Sequence, residues 1–130
     1  MAFKDIANSI TTFFNTLAIT NSFVVRYDND PRATPTDKVW MNVEIDFGNS
    51  DQAEIGVSTF RNVGIFNARI KVPIGQGSAD ALHIADIIAM GFRTTIVNKI
   101  INFQFPRIEN VGRVEDDYQM NVICPFFVDN

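Results

Sequence analysis

The sequence predicts an α+β fold: a two-layer sandwich with a mostly antiparallel or mixed sheet and two helices packed on one face. Three observations carry this. Two segments, near the N-terminus and past the middle, repeat their apolar residues at helical spacing. The segments between and after them alternate apolar with polar residues, as half-buried strands do. The connections are short and polar, which favours sequential neighbours, and helices segregated from strands make an α+β layering.

Residues 2–17 form the first helix. Phe3, Ile6, Ala7, Ile10, Phe13, Phe14 and Leu17 fall on one arc, and Lys4, Asp5, Asn8, Ser9, Thr12 and Asn15 fill the other. Ser22–Tyr27 reads as a strand, and Asp28–Asp37, with two prolines and three aspartates, as a loop. Three strands then form an antiparallel meander: Lys38–Phe47, Ala53–Phe60 and Phe66–Ile74. Gly48–Asp51 is turn material between the first two, and Arg61–Gly64 joins the second to the third. The first strand points Val39, Met41, Val43, Ile45 and Phe47 to one face. Glu44, Asp46, Glu54, Arg69 and Lys71 collect on the opposite, polar face. That face is either solvated or a lumen or partner surface.

The best-marked stretch is Val72–Arg93. A strand end runs through Pro73 into a Gly75-Gln76-Gly77 turn, with Ser78 at the N-cap of a helix over 79–93 and Asp80 in its first turn. Ala81, Leu82, Ile84, Ala85, Ile88, Ala89 and Phe92 share the core arc. Ile87 and Met90 stand among the polar residues Asp80, His83, Asp86 and Arg93. Large apolar residues on an otherwise polar stripe point to a subunit contact. Thr95–Phe105 is either a strand or a helix end passing into one, and Phe105-Pro106 stops it. Arg107–Glu109 is a short strand candidate and Gly112–Asp117 a polar turn. Tyr118–Phe127 is the last strand, with Tyr118, Met120, Val122, Cys124 and Phe126 on one face.

At 130 residues, with 46% hydrophobic and 20% charged side chains, the chain is expected to form one domain over 1–130. A formal charge of −4 argues against gripping nucleic acid, which requires clustered Lys and Arg. Twelve phenylalanines against two tyrosines and one tryptophan favour dry packing over a polar pocket. One cysteine excludes an internal disulfide and a cysteine-based zinc site. No apolar run approaches the ~20 residues that a membrane-spanning helix needs.

Little chemistry is encoded. Gly75–Ser78 opens a helix, as anion sites do, but lacks the lysine of a P-loop and the third glycine of a dinucleotide fingerprint. His83 and Asp86 sit three apart without a second histidine or a motif-placed nucleophile. Asp28 and Asp30 lack the glycine and distal glutamate of a calcium loop. The expectation is a non-enzyme with no catalytic, cofactor-binding or metal site.

Two stretches carry a resemblance. Val72–Phe92, VPIGQGSADALHIADIIAMGF, resembles the strand, glycine turn and Ala-Asp-bearing helix of the tail terminator (tail-completion) proteins of long-tailed bacteriophages. Tyr118–Phe126, YQMNVICPF, is similar to that family's closing strand. Gly91 inside the helix and Glu115-Asp116-Asp117 before the last strand depart from the pattern. The resemblance implies a structural virion protein that assembles as a homo-hexameric ring on the tail-tube protein. Such a ring stops tube polymerisation and offers a surface to a head-completion protein. It also implies a place at the head-proximal end of the tail, assembly in the host cytoplasm, no membrane, and genomic DNA passing through without specific binding. Candidate ring contacts are Asp86, Ile87, Met90, Arg93, Phe126 and Phe127. Candidate lumen or partner-face residues are Glu44, Asp46, Glu54, Arg69 and Lys71, and Asp28, Asp30 and Arg32 are candidates for a tube-docking loop. The alternatives are another neck or head–tail connector component, and a small-ligand or phosphate-binding module built on Gly75–Ser78.

Overall fold

The computed structural model describes residues 3–27, 35, 38–52, 60–73, 75, 79–115 and 117–129. It is an α+β arrangement of two helices on a mixed sheet. Helix α1 (Phe3–Thr20) buries Ile6, Ile10, Phe14 and Ala18, one residue per turn along a single stripe. It runs three residues past the expected end. Ser22 takes φ 57° there, Ser22 N–H donates to the Ile19 carbonyl at 3.2 Å, and Phe23 N–H donates to Ala18 at 2.9 Å. This double closure is a Schellman cap, with serine in the left-handed position that glycine usually fills.

The sheet runs β1 (Val25–Tyr27), β2 (Trp40–Gln52), β3 (Phe60–Pro73), β7 (Asp117–Asp129), β5 (Ile101–Phe103), β4 (Ile96–Val97), and β6 (Arg107–Val114) also pairs with β7. Strand β1 lies parallel to β2 and the other pairs are antiparallel, so the sheet is mixed. The expected three-strand meander is two long strands instead. β2 continues through Gly48–Asp51 to Gln52, with a register shift between Phe47 and Ser50, and β3 already begins at Phe60, taking in Arg61–Gly64. Turn-forming residues also suit a β-bulge, which bends a strand without ending it. Of the expected strand Ala53–Phe60, residues 53–59 lie outside the described residues. The expected third strand, from Phe66, is the later part of β3 and lies directly beside β2, and β7 flanks it on the other side, paired from Arg61 to Pro73.

Helix α2 (Ala79–Phe92) buries Ala81, Ala85, Ile88 and Phe92. Leu82, expected in the core, is 45% exposed. The buried stripe recurs at four-, three- and four-residue steps from Ala81, which leaves Leu82 a further 100° around the helix. After α2 the alternatives for Thr95–Phe105 resolve into a small hairpin. Its β-turn has both central residues, Asn98 (φ 53°) and Lys99 (φ 68°), left-handed, and Ile100 N–H donates to Val97 at 3.3 Å. Two positive φ values in succession are the mark of a type I′ turn. Strand β6 extends to Val114 and β7 begins at Asp117, so most of the expected turn at Gly112–Asp117 is strand. Val111 is the unpaired residue between the two registers of β6.

The core between the layers is aromatic. Phe92 sits 5.1 Å from Phe13, 6.3 Å from Phe14, 4.9 Å from Phe66 and 4.8 Å from Phe103, ring centre to ring centre. Phe103 continues to Phe126, Phe126 to Phe47, and Phe47 to Phe3. Glycine is required at one place beneath this chain. A Cβ on Gly64 would lie 2.6 Å from the Asp46 carbonyl oxygen and 2.6 Å from Cζ of Phe126.

Candidate assembly surfaces

The face of the sheet away from the helices is read directly from the registers. Three rows of side chains cross β2, β3, β7 and β6: Glu44, Asn67, Ile123, Arg107; then Asn42, Arg69, Asn121, Glu109; then Trp40, Lys71, Gln119, Gly112. Glu44, Arg69 and Lys71 therefore share one face, as expected. Their charges are largely satisfied locally. Arg69 pairs with Glu44 and donates to Asn42 Oδ1 at 3.2 Å, and the Lys71 ammonium lies 5.3 Å from the Trp40 ring centre. Gln119 donates to Asn121 at 3.0 Å. Trp40 Nε1 and Asn67 Oδ1 are buried without a partner among the described residues. These are desolvated polar atoms that a contacting surface or a water can satisfy.

Asp46 lies at one end of this face, on an open groove of about 430 Å³ lined by Arg61, Val63, Ile65, Pro125 and Phe127. Here Arg61 grips Asp129 through two bonds of 2.8 and 3.0 Å and lies 4.3 Å over the Phe127 ring. The hydrogen bond from Arg61 holds the Asp129 carboxyl below its ordinary value, and the same bond raises Arg61. Phe127 is thus a half-buried floor under an ion pair. Phe126 points the other way, into the core at 2% exposure, and presents no surface. Adjacent positions on a strand face opposite sides, so the two phenylalanines cannot share a contact.

The candidates on α2 also separate. Met90 points outward at 76% exposure, with Asp86 exposed one turn before it. Ile87 is half-buried and lines a cleft of about 270 Å³ with His83, Ile84, Phe23, Val39 and Met41. That flank of the helix packs toward α1, where a Cβ on Gly91 would meet Leu17 Cδ2 at 3.1 Å. Gly91 therefore lets the helices approach rather than interrupting the second one. Arg93 lies 5.1 Å over Phe105, which joins β5 to β6. Glu54, Asp28, Asp30 and Arg32 lie outside the described residues, as do Gln76, Gly77 and Ser78 of the glycine turn.

One surface escaped the sequence reading. Ile108, Val111 and Val114 are all exposed along β6, as are Phe105 just before it and Ile96 on β4. The run RIENVGRV hides its strand because the bulge at Val111 breaks the period-two pattern.

Among the described residues no group of three His, Cys, Asp or Glu side chains is placed to hold a metal ion. Burial pushes the Cys124 thiol up to about 12, far from the thiolate that nucleophilic chemistry needs. No described helix is long and apolar enough to cross a membrane.

Comparison with known proteins gives a consistent result. The family model of the phage tail terminator protein matches residues 5–121. No curated protein matches. A solved structure whose name records no function superposes with a TM-score of 0.74 at 14% identity, covering 98% of this chain and 96% of that one. That likeness is one of fold.

Proposed function

The chain belongs to the phage tail terminator protein family, and from that membership we propose that it caps the tail tube as a closed ring of identical subunits. The family is one of structural tail proteins, and the match over 5–121 carries the reading. It spans α1 from its third residue, all of α2, and six of the seven strands complete, with the first residues of β7. In the proposal the ring is a hexamer, seated on the terminal ring of the tail-tube protein at the head-proximal end. It halts polymerisation and offers its free side to a head-completion protein.

A closed ring requires a head-to-tail contact between two different patches of each subunit. Met90 and Asp86, outward on α2, supply one apolar and acidic patch. The polar sheet face supplies a wall for the DNA passage. Two of its cations are already engaged, Arg69 by Glu44 and Lys71 by the Trp40 ring, which weakens the salt-dependent grip on passing phosphates that free Lys and Arg would exert. The Asp28, Asp30 and Arg32 stretch is assigned to docking on the tube.

The test is tube assembly in vitro. Purified tube subunits polymerised with this protein should stop at fixed length, with six-fold rings at tube ends by electron microscopy. Met90→Glu should fold normally and cap poorly. Tubes that lengthen equally with and without the protein refute the proposal, and density elsewhere in the neck transfers the chain to a connector role.

A further inference from the structure

Strand β6 is an edge left open. It pairs with β7 on one side, and among the described residues nothing pairs with the other. β4 has two residues and β1 three, the short lengths that commonly protect sheet edges. β6 has eight, exposed along nearly all of its length. Its unused N–H and C=O groups specify the partner's geometry, because only another extended strand satisfies them in series.

The side chains specify the partner's identity. Arg107 and Glu109 stand two apart on the sheet's polar face, opposite Ile123 and Asn121 of β7. Neither has an ion-pair partner among the described residues. Between them Ile108, opposite Val122, points to the helix side and is 38% exposed. Read antiparallel against itself about Ile108, the strand is self-complementary. Arg107 meets Glu109 of a second copy, Glu109 meets its Arg107, and the two Ile108 side chains meet on the axis. Three residues out on each side Phe105 meets Val111, joining two exposed apolar residues. A two-fold axis normal to the sheet keeps every side chain on its own face. The bulge at Val111 ends the matched stretch.

We propose that β6 is a two-fold pairing edge, through which two copies of the free chain join their sheets by antiparallel addition centred on Ile108. This contact is distinct from the ring: it is isologous, and it leaves Met90 and Asp86 on α2 free.

Ile108→Cys tests it, because a residue on a two-fold axis meets itself, whereas in a head-to-tail contact it does not. Directly opposed residues of an antiparallel pair stand within the Cα span that a disulfide bridges. With oxygen and copper phenanthroline, the Ile108→Cys protein should run mostly as a reductant-sensitive dimer. Asn110→Cys, whose own copy lies four residues along the ladder, should remain monomeric. In sedimentation equilibrium Glu109→Arg should weaken dimerisation at least ten-fold, and adding Arg107→Glu should restore it. Folded Ile108→Cys protein that does not crosslink, equal crosslinking at 110, or a charge swap that restores nothing overturns the pairing. A crosslinked dimer from protein that never caps tubes would refute the ring and leave this contact standing.

Discussion

Replacing Phe92 by alanine should cost more stability than any other single aromatic truncation in the chain. The ring is fully buried at the end of α2 and lies within 6.3 Å of four others, from α1, β3 and β5. Truncating a buried phenylalanine removes its transfer free energy and leaves a cavity, together about 3–5 kcal/mol. The upper end applies here, because Phe13, Phe66 and Phe103 are each fixed by a separate element and cannot collapse together into the space. With an unfolding entropy of roughly 2.1 cal/mol/K per residue, a 130-residue chain loses about 3.7 °C of Tm per kcal/mol, so Tm should fall by about 11–18 °C. Scanning calorimetry and urea melts measure both quantities. Phe105→Ala is the control: its ring is 64% exposed, with Arg93 above it, and should cost under about 1 kcal/mol. A Phe92→Ala loss below about 1.5 kcal/mol, or one equal to the Phe105 loss, would refute the view that this ring ties the two layers together.

Gly64→Ala should destabilise by about 1–3 kcal/mol in urea, since its Cβ meets a backbone oxygen and a core ring at 2.6 Å; an unchanged midpoint would show that β2 and Phe126 yield easily. Cys124, held protonated to about 12 against 9.0 for a free thiol, should resist labelling by a disulfide reagent at pH 8 and react fully in guanidinium. The unfolded chain loses that proton first, so stability should be unaffected below pH 9 and fall as pH rises toward 12, with a smaller alkaline slope in Cys124→Ala; identical slopes would contradict the assignment. Arg61→Ala should return the Asp129 carboxyl upward toward its ordinary value in an NMR titration, and an unmoved titration would mean the two-bond pair does not persist in solution.

The layers were legible in the sequence because periodicity reports burial. The stripe from Ile6 to Phe14, the alternation of Met41 and Val43, and the inward face of β7 are all where the pattern puts them. Boundaries were less legible, for a common reason: the chain takes left-handed or bulged conformations without the usual residue. Ser22, Lys99 and Glu115 have positive φ with no glycine to announce it. Conversely Gly48, Asn49 and Ser50 announce a turn and are absorbed as a bulge in a strand that goes on pairing. Long-range pairing outweighs the local preference there, since the ladder with β3 resumes at Ser50 and continues to Gln52.

The assembly surfaces were the least legible, and the α2 residues show why. A helical wheel sorts residues by angle around one axis, and it grouped Ile87 with Met90 as one stripe. In three dimensions the two are separated by what stands beside each. Leu17 packing on Gly91 draws the Ile87 flank toward α1, while nothing described stands over Met90. The same holds for Phe126 and Phe127, adjacent in sequence and divided by the plane of the sheet. An interface is a property of neighbouring elements, so sequence periodicity finds the face that is buried but not which of the remaining faces is bare. The β6 edge is the extreme case: its apolar residues alternate irregularly, and only the topology shows that no described strand lies beyond it. If one chain offers both the proposed two-fold edge on β6 and the proposed ring patch on α2, its oligomeric state is set by which contact is stronger at a given concentration. In that proposal a tube end, by aligning copies around one axis, would favour the α2 contact over the two-fold one. Capping would then draw on a dimer pool, and Ile108→Cys protein locked as a dimer should cap tubes only after reduction.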